Sequence, residues 1–171
     1  MEAFICTARG TQYTPSSVAP PQCVICKEER QYVPPRGQTW TTLAALKAGH
    51  FNSYRQCEPG VIGIRTQPQF AIGQRALVVC TPNGNILWDC IAMLDSATIA
   101  SINGLGGLRA IAISHPHFYT TMVEWSRAFG GIPIPLGQKI ESVERRGVVP
   151  VQRSLGNRWT NYTLRKRRVL R

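Results

Sequence analysis

Two histidines, His115 and His117, flank Pro116 at the point where an apolar segment, residues 108–113, ends. A buried strand that ends in His-x-His directs two imidazole rings at one spot, because alternate residues point the same way. Imidazole nitrogen binds zinc, iron and similar ions, and Pro116 lowers the entropy cost of holding the loop. The spacing therefore predicts a metal site. Two polar residues that end a strand and face water would give the same pattern.

A second group of potential metal ligands lies near the N-terminus, where Cys6 precedes a Cys-x-x-Cys pair formed by Cys23 and Cys26. Such a pair holds two thiolates around one tetrahedral ion, and a small segment without its own core gains stability from that ion. A complete zinc ribbon would have another cysteine at position 9, which is Arg9 here, so a fourth ligand would come from elsewhere or from water. We expect a structural zinc site. The alternatives are a redox pair, although no βαβ pattern precedes it, and a loop with free thiols.

The composition indicates a folded protein without a membrane segment. Of the 171 residues, 43% are hydrophobic, which is enough for a core. No apolar run approaches the length that spans a bilayer, and the first residues do not have the pattern of a signal peptide. We therefore expect a cytoplasmic protein whose six cysteines are thiols or metal ligands rather than disulfides.

Most of the net charge of +11 lies in the last part of the chain. Residues 133–171 contain ten lysines and arginines but two glutamates. We expect residues 135–171 to form a basic, disordered tail. The alternative function is a zinc-knuckle protein that binds nucleic acid through this tail, with Trp159 and Tyr162 stacking on bases between the arginines. The basic run at 165–168 also allows a nuclear localisation signal.

The periodicity of apolar residues predicts an α/β chain. The predicted elements are a helix at 41–48, strands at 75–80 and 86–91, a helix at 96–102, a strand at 108–113 and a helix at 121–129. Residues 52–68 are predicted to be irregular. The histidines then lie at the carboxyl end of a strand, where open sheets place ligands.

Local signals refine these elements. Thr41 is expected to cap the first helix, and Asp95 or Ser96 the second. Thr121 and Glu124 have the spacing of a capping box, which should begin the third helix. The turn at residues 83–84, Asn-Gly, favours a tight hairpin with positive φ at both positions.

Asp89 is an acid inside an otherwise apolar strand prediction. Burying a carboxylate costs free energy unless it is hydrogen-bonded or lies near a cation. Asp89 is therefore a candidate site residue, and the alternative is that it caps a helix or a loop.

Three stretches, residues 70–77, 84–90 and 112–120, resemble the metallo-β-lactamase fold superfamily. Residues 10–13 and 29–33 are similar to a subgroup of hydrolase-like members that carry a cysteine knuckle in front. The resemblance covers roughly residues 4–134. It implies an αββα sandwich and one or two metal ions, often zinc, that activate water for the hydrolysis of esters, thioesters, amides or phosphodiesters.

Carried over to this chain, the family motif His-x-His-x-Asp-His assigns the first two metal ligands to His115 and His117. Tyr119 stands at the aspartate position and Thr120 at the second-metal histidine, so neither matches. Tyr119 would fill the vacant space, donate its hydroxyl to substrate or pack. Asp89 falls at the acid that supports the site from an earlier strand.

The family takes further ligands from the second half of its domain, but no histidine follows His117 in this chain. The sequence therefore predicts the first half of a metallo-β-lactamase-like αββα sandwich, truncated and inactive or impaired. The predicted divisions are a cysteine knuckle at 1–36, a short helix and linker at 37–67, the partial domain at 68–134 and the basic tail. A half sandwich leaves a sheet face uncovered, so we expect self-association or pairing with a related full-length chain.

Overall fold

The computed structural model describes residues 1–27 and 37–135. Apart from residue 135, the predicted basic tail lies outside the described residues, and so do the stretch at 29–33 and the residues of the nucleic-acid and nuclear-localisation hypotheses. The α/β prediction is confirmed: the described residues contain two sheets and three α-helices.

The main sheet has five strands, and each lies beside the next in chain order. These strands are β3 (Phe51–Glu58), β4 (Val61–Gln67), β5 (Arg75–Val79), β6 (Ile86–Trp88) and β7 (Ala110–Ala112). Neighbouring strands run antiparallel except β6 and β7, which are parallel. The parallel pair requires a crossover, and helix α2 (Ser96–Gly104) supplies it.

Two small strands and two further helices complete the described structure. Strand β1 (Ile5–Cys6) pairs antiparallel with β2 (Trp40–Thr41), and helix α1 (Leu43–Gly49) follows directly. Helix α3 (Met122–Ala128) ends the regular structure. Ile5 and Leu46 pack with Ala92 and Met93 in a small core cluster that joins this N-terminal part to the main body.

The two faces of the main sheet are buried to different extents. Ile64, Ala76, Val78, Leu87 and Ile111 share one face, and all five are fully buried in the larger core. We call the other face the open face. One row of residues crosses four strands on it and consists of Gly63, Leu77, Trp88 and Ala112. The row beside it consists of Val61, Val79, Ile86 and Ala110. The large apolar side chains of these two rows are half-buried and belong to neither core cluster.

The prediction that residues 52–68 are irregular is wrong. They form the β3–β4 hairpin, which belongs to the same sheet as the predicted strands. Residues 54–58 of β3 are exposed, because this is an edge strand. An exposed edge strand does not need the apolar alternation on which the prediction depended.

Three local predictions are also wrong. Thr42, not Thr41, caps α1 by accepting a hydrogen bond from the backbone N–H of Ala45. The predicted hairpin between β5 and β6 forms, but its connection is longer than a tight two-residue turn, and Gly84 but not Asn83 has positive φ. Thr121 precedes α3 without a side-chain cap, because its hydroxyl donates to the carbonyl oxygens of Ile91 and Ala92 instead. By contrast, Asp95 caps α2 as expected, with 2.7 Å from its carboxylate to the Thr98 nitrogen.

The two edges of the main sheet also differ. On the β7 edge the backbone N–H of Ile111 donates to the carbonyl oxygen of Pro133 over 3.0 Å, so residues past α3 cover part of this edge. Strand β3 forms the other edge, with its outer side beside no strand of the described chain. No helix in the described residues is both long and apolar enough to cross a membrane.

Candidate metal-binding sites

The structure brings together the three cysteines that the sequence predicted as ligands. Cys6 ends β1, and Cys23 and Cys26 lie in a turn closed by a hydrogen bond of 3.1 Å from the Lys27 nitrogen to the Cys23 oxygen. All three residues are buried, and their sulfur atoms lie within 4.8 Å of one another. Cys6, Cys23 and Cys26 are therefore close enough to bind one metal ion.

One of the sulfur–sulfur distances is close to the edge expected for a tetrahedral zinc site. The Sγ atoms of Cys6 and Cys26 are 3.7 Å apart. A tetrahedron with Zn–S bonds of about 2.3 Å has edges of about 3.8 Å. A disulfide would instead need about 2.05 Å. The donor set thus fits zinc, with three thiol ligands.

Hydrogen bonds hold the cluster in place. The Tyr13 hydroxyl accepts from the Val24 nitrogen at 2.7 Å, and the Gln38 side-chain oxygen accepts from the Cys23 nitrogen at 2.8 Å. The Tyr13 ring also packs edge-on against Trp40, with centroids 5.2 Å apart. These supporting residues were not identified from the sequence, because their role depends on contacts that no spacing reveals.

The pKa values of the three thiols shift in different directions. The hydrogen bond from Cys6 lowers the pKa of Cys23 to about 5, and the Tyr13 hydroxyl and two backbone N–H groups add to the effect against the cost of burial. The same Cys6–Cys23 hydrogen bond, followed by burial, raises the pKa of Cys6. Burial is also the main reason that the pKa of Cys26 is raised. A bound cation would displace the remaining protons.

Arg9 lies beside this cluster at the position where a complete ribbon would have a cysteine. It is buried, and its charge lowers the pKa of Cys26, against the dominant effect of burial. The next residue, Gly10, has a φ of +74°, and a Cβ there would come within 3.2 Å of the Ala92 side chain. The loop that carries Cys6 therefore packs directly on the main body.

The histidine loop lies at the carboxyl end of β7, as predicted. Pro116–Phe118 form one 3-10 turn, and the His115 and His117 rings stack with centroids 4.5 Å apart. The Nδ1 atom of His115 accepts a hydrogen bond from the His117 backbone nitrogen over 3.3 Å. In a neutral ring, an accepting Nδ1 leaves the proton on Nε2, so in this arrangement neither His115 nitrogen offers a metal ion a lone pair.

Asp89 fixes the start of this loop. It follows β6 with a φ of +63°, and its two carboxylate oxygens accept from the backbone nitrogen and the hydroxyl of Ser114, at 2.7 and 2.9 Å. Burial raises the pKa of Asp89, although the bonds from Ser114 and the nearby His115 act in the opposite direction. The buried carboxylate thus has the hydrogen bonds that the sequence argument required.

The described residues do not bring a third ligand to the histidine pair. Among residues 1–27 and 37–135, the cysteine cluster is the one group of three or more His, Cys, Asp or Glu ligand atoms within 4.8 Å of one another. Tyr119 is buried in the larger core, and His50, the remaining histidine of the sequence, lies against the Phe70 ring. The pair alone does not fit a complete catalytic metal site.

Gln74 connects the two candidate sites. Its side-chain nitrogen, in a buried residue, donates to the carbonyl oxygen of Arg9 at 2.7 Å and to that of His117 at 3.1 Å. A backbone bond of 2.9 Å from Gln12 to Thr120 joins the same two loops. Gln74 belongs to the stretch 70–77, but a lone glutamine before a strand gave no signal of this role.

The comparisons with known proteins give a relative but no family. No family model matches the chain. An uncharacterized protein of Bacillus subtilis (strain 168), YmaE, is 47% identical over 131 residues, which are 75% of this chain and 48% of that protein. The chain therefore spans about half the length of this relative.

Among solved structures, the chain resembles an NDM_FIM-1-like metallo-β-lactamase from Erythrobacter litoralis in its mono-zinc form. The alignment covers 53% of this chain and 54% of that one, with 18% identity and a TM-score of 0.37. At this TM-score the likeness does not establish a shared fold.

Proposed function

We propose that this chain is a zinc-binding α/β protein related to the metallo-β-lactamase-like hydrolases, with a structural zinc at Cys6, Cys23 and Cys26 and no hydrolytic activity of its own. The observation that carries the proposal is the buried group of three thiols, with 3.7 Å between the Cys6 and Cys26 sulfur atoms. The relation to the hydrolases rests on the three sequence stretches and on the His115–Asp89 arrangement. The αββα architecture is part of the proposal.

The position of the thiols favours a structural role. They join β1 to the turn at residues 23–27. In this part of the described chain, the paired strands are β1 and β2, each two residues long. A bound zinc ion would supply a crosslink here, and such ions contribute directly to folding free energy. The thiols are also buried, whereas a catalytic metal needs an open position for substrate.

The histidine loop supports the relation to hydrolases but not activity in this chain. Catalytic zinc sites have three protein ligands and an open position. The described residues bring together His115 and His117, with Asp89 supporting the loop through Ser114. We therefore propose that hydrolysis needs ligands beyond these residues, and that this polypeptide does not hydrolyse esters, thioesters or phosphodiesters by itself.

The open face of the sheet is the surface that the predicted association would use. Leu77, Trp88 and Ile86 lie on it, half-buried, while every apolar residue named above on the opposite face is fully buried. Association through this face, with a second copy or with a longer related chain, is a proposal. A Leu77→Lys variant should reduce the molar mass measured by light scattering if copies pair through it.

Metal content tests the proposal directly. We expect the purified chain to hold one zinc ion per polypeptide by elemental analysis, and the Cys23→Ser/Cys26→Ser variant to hold none. The matched control is Cys57→Ser, an exposed cysteine outside the cluster, which should leave the zinc unchanged.

The histidine variant separates the two sites. We expect His115→Ala/His117→Ala to retain the zinc. Loss of metal in this variant, together with retention in the cysteine variant, would contradict the structural assignment. It would make the histidine loop the metal site, and hydrolytic substrates would then need to be screened.

A further inference from the structure

We propose that the open face carries a phosphate-binding pocket formed by Arg55, Arg65 and Arg75. The three arginines come from three neighbouring strands and line one shallow pocket of about 160 Å³. None of the candidate metal ligands Cys6, Cys23, Cys26, His115 and His117 lines the pocket, so the inference does not depend on a bound metal.

The strand register places the three charges together. Arg65 lies directly opposite Arg75, and Arg55 lies opposite Gly63, one step along the same face. Like charges directly opposite each other on a sheet are destabilising. Within the described chain none of the three guanidinium groups has an ion pair or a hydrogen bond. An anion between them would remove this repulsion.

The shape of the pocket fits a small oxyanion. Gly63 lines it, and a Cβ at this position would lie 3.0 Å from the Cys57 sulfur and 3.3 Å from Arg75 Cδ. A side chain at this position would therefore press on two residues of the pocket lining. The remaining lining comes from Ser53, Tyr54 and Cys57, so the pocket has no carboxylate of its own.

The chemistry of the donors selects phosphate. A guanidinium group presents a planar fork of N–H donors that matches the oxygens of phosphate, and such charge-assisted bonds are stronger than neutral ones. Three forks around a small cavity suit a terminal phosphate or diphosphate group on a small molecule. We therefore assign phosphorylated small molecules as the ligand class.

Calorimetric titration with pyrophosphate at fixed ionic strength tests the assignment. We expect saturable binding to the full chain, weakened about tenfold or more in Arg65→Gln/Arg75→Gln, because two charge-assisted contacts are lost. The matched control is Lys47→Gln/Arg109→Gln, which removes the same charge at positions outside the pocket lining and should bind within about twofold of the parent. Gly63→Ala should also weaken binding, without any change in charge.

Two results would overturn the assignment. Equal losses in the pocket variant and in the control would show general attraction to a basic protein. Failure of pyrophosphate to bind, when a short single-stranded oligonucleotide binds and loses affinity in the pocket variant, would assign the arginines to nucleic acid instead.

A thermal melt in phosphate-free buffer distinguishes a variant that has lost the ligand contacts from one that is misfolded. Arg65→Gln/Arg75→Gln should be at least as stable as the parent, because the cross-strand repulsion is gone. Pyrophosphate should raise the melting temperature of the parent but not that of this variant. A variant that is less stable than the parent without pyrophosphate would contradict the repulsion on which the inference rests.

Discussion

The cysteine cluster and the histidine loop differ in how their potential ligands are assembled. The cysteines come from two segments, are buried and are held by Tyr13 and Gln38 from elsewhere in the chain. The two histidines are neighbours in one loop and more exposed, and the loop is held by the Asp89 carboxylate and the Gln74 side chain. The cysteine cluster therefore has enough donors in place to hold a metal ion, whereas the histidine loop supplies two imidazole rings. Spacing in a sequence can therefore locate a ligand pair, but burial and support show whether a site is built around it.

The largest effect should come from breaking the cysteine cluster. We expect Cys26→Ser to lose the stabilisation by zinc, because a bound ion at about 100 times its dissociation constant adds about 2.7 kcal/mol to the free energy of unfolding. Thermal melts with zinc and with a chelator measure this. The melting temperature of the parent should differ between the two conditions, and that of Cys26→Ser should not. If Cys57→Ser loses the difference as well, the result would argue against zinc binding by the cluster.

The next largest effect should come from Asp89→Ala. This change leaves the Ser114 backbone nitrogen without its acceptor, at a cost of about 2.5 kcal/mol for a part-buried hydrogen bond to a charged group. Urea denaturation measures the loss. Asp95→Ala, which removes a helix cap, is the comparison and should cost about 1 kcal/mol. Equal losses would mean that Asp89 acts as an ordinary cap.

Gln74→Leu tests the connection between the two regions. It removes both hydrogen bonds from the side-chain nitrogen, so we expect a loss of about 2 kcal/mol. Hydrogen exchange should then be faster in the loops around Arg9 and His117 together. If exchange rises in one loop and not in the other, Gln74 does not couple them.

The smallest effect should come from the histidines. His115→Ala/His117→Ala should change the free energy of unfolding by less than about 0.5 kcal/mol, as surface substitutions usually do, because His115 is exposed and His117 is half-buried. The same urea measurement checks this. A loss as large as that of Asp89→Ala would show that the stacked rings are part of the folded framework.

The sequence was informative where the signal is local. Cys23 and Cys26 are three residues apart, and a turn brings such a pair together without help from the rest of the chain. The buried strands around Val78, Leu87 and Ile111 were found because continuous apolar runs mark strands covered by the core. Asp89 stood out because a charge in such a run needs an explanation.

The sequence was uninformative where the reason is a tertiary contact. Strand β3 was missed because an edge strand with an exposed outer half has no apolar alternation. Thr121 fits a capping box, but the carbonyls of Ile91 and Ala92 compete for its hydroxyl. The arginine pocket depends on the register of three strands, and the role of Gln74 depends on how two loops pack. Neither feature produces a recognisable pattern in the sequence.

The bond pattern of Gln74 also has a consequence for the order of folding. The contact between Cys6 and Cys26 closes a loop of 20 residues, whereas Gln74 reaches across 43 residues to His117 and across 65 to Arg9. Loop-closure entropy grows with length, and distant contacts form after local ones have been made. The cysteine loop can therefore close early, with or without the sheet. The contacts between the loops around Arg9 and His117 should form last during folding and break first during unfolding.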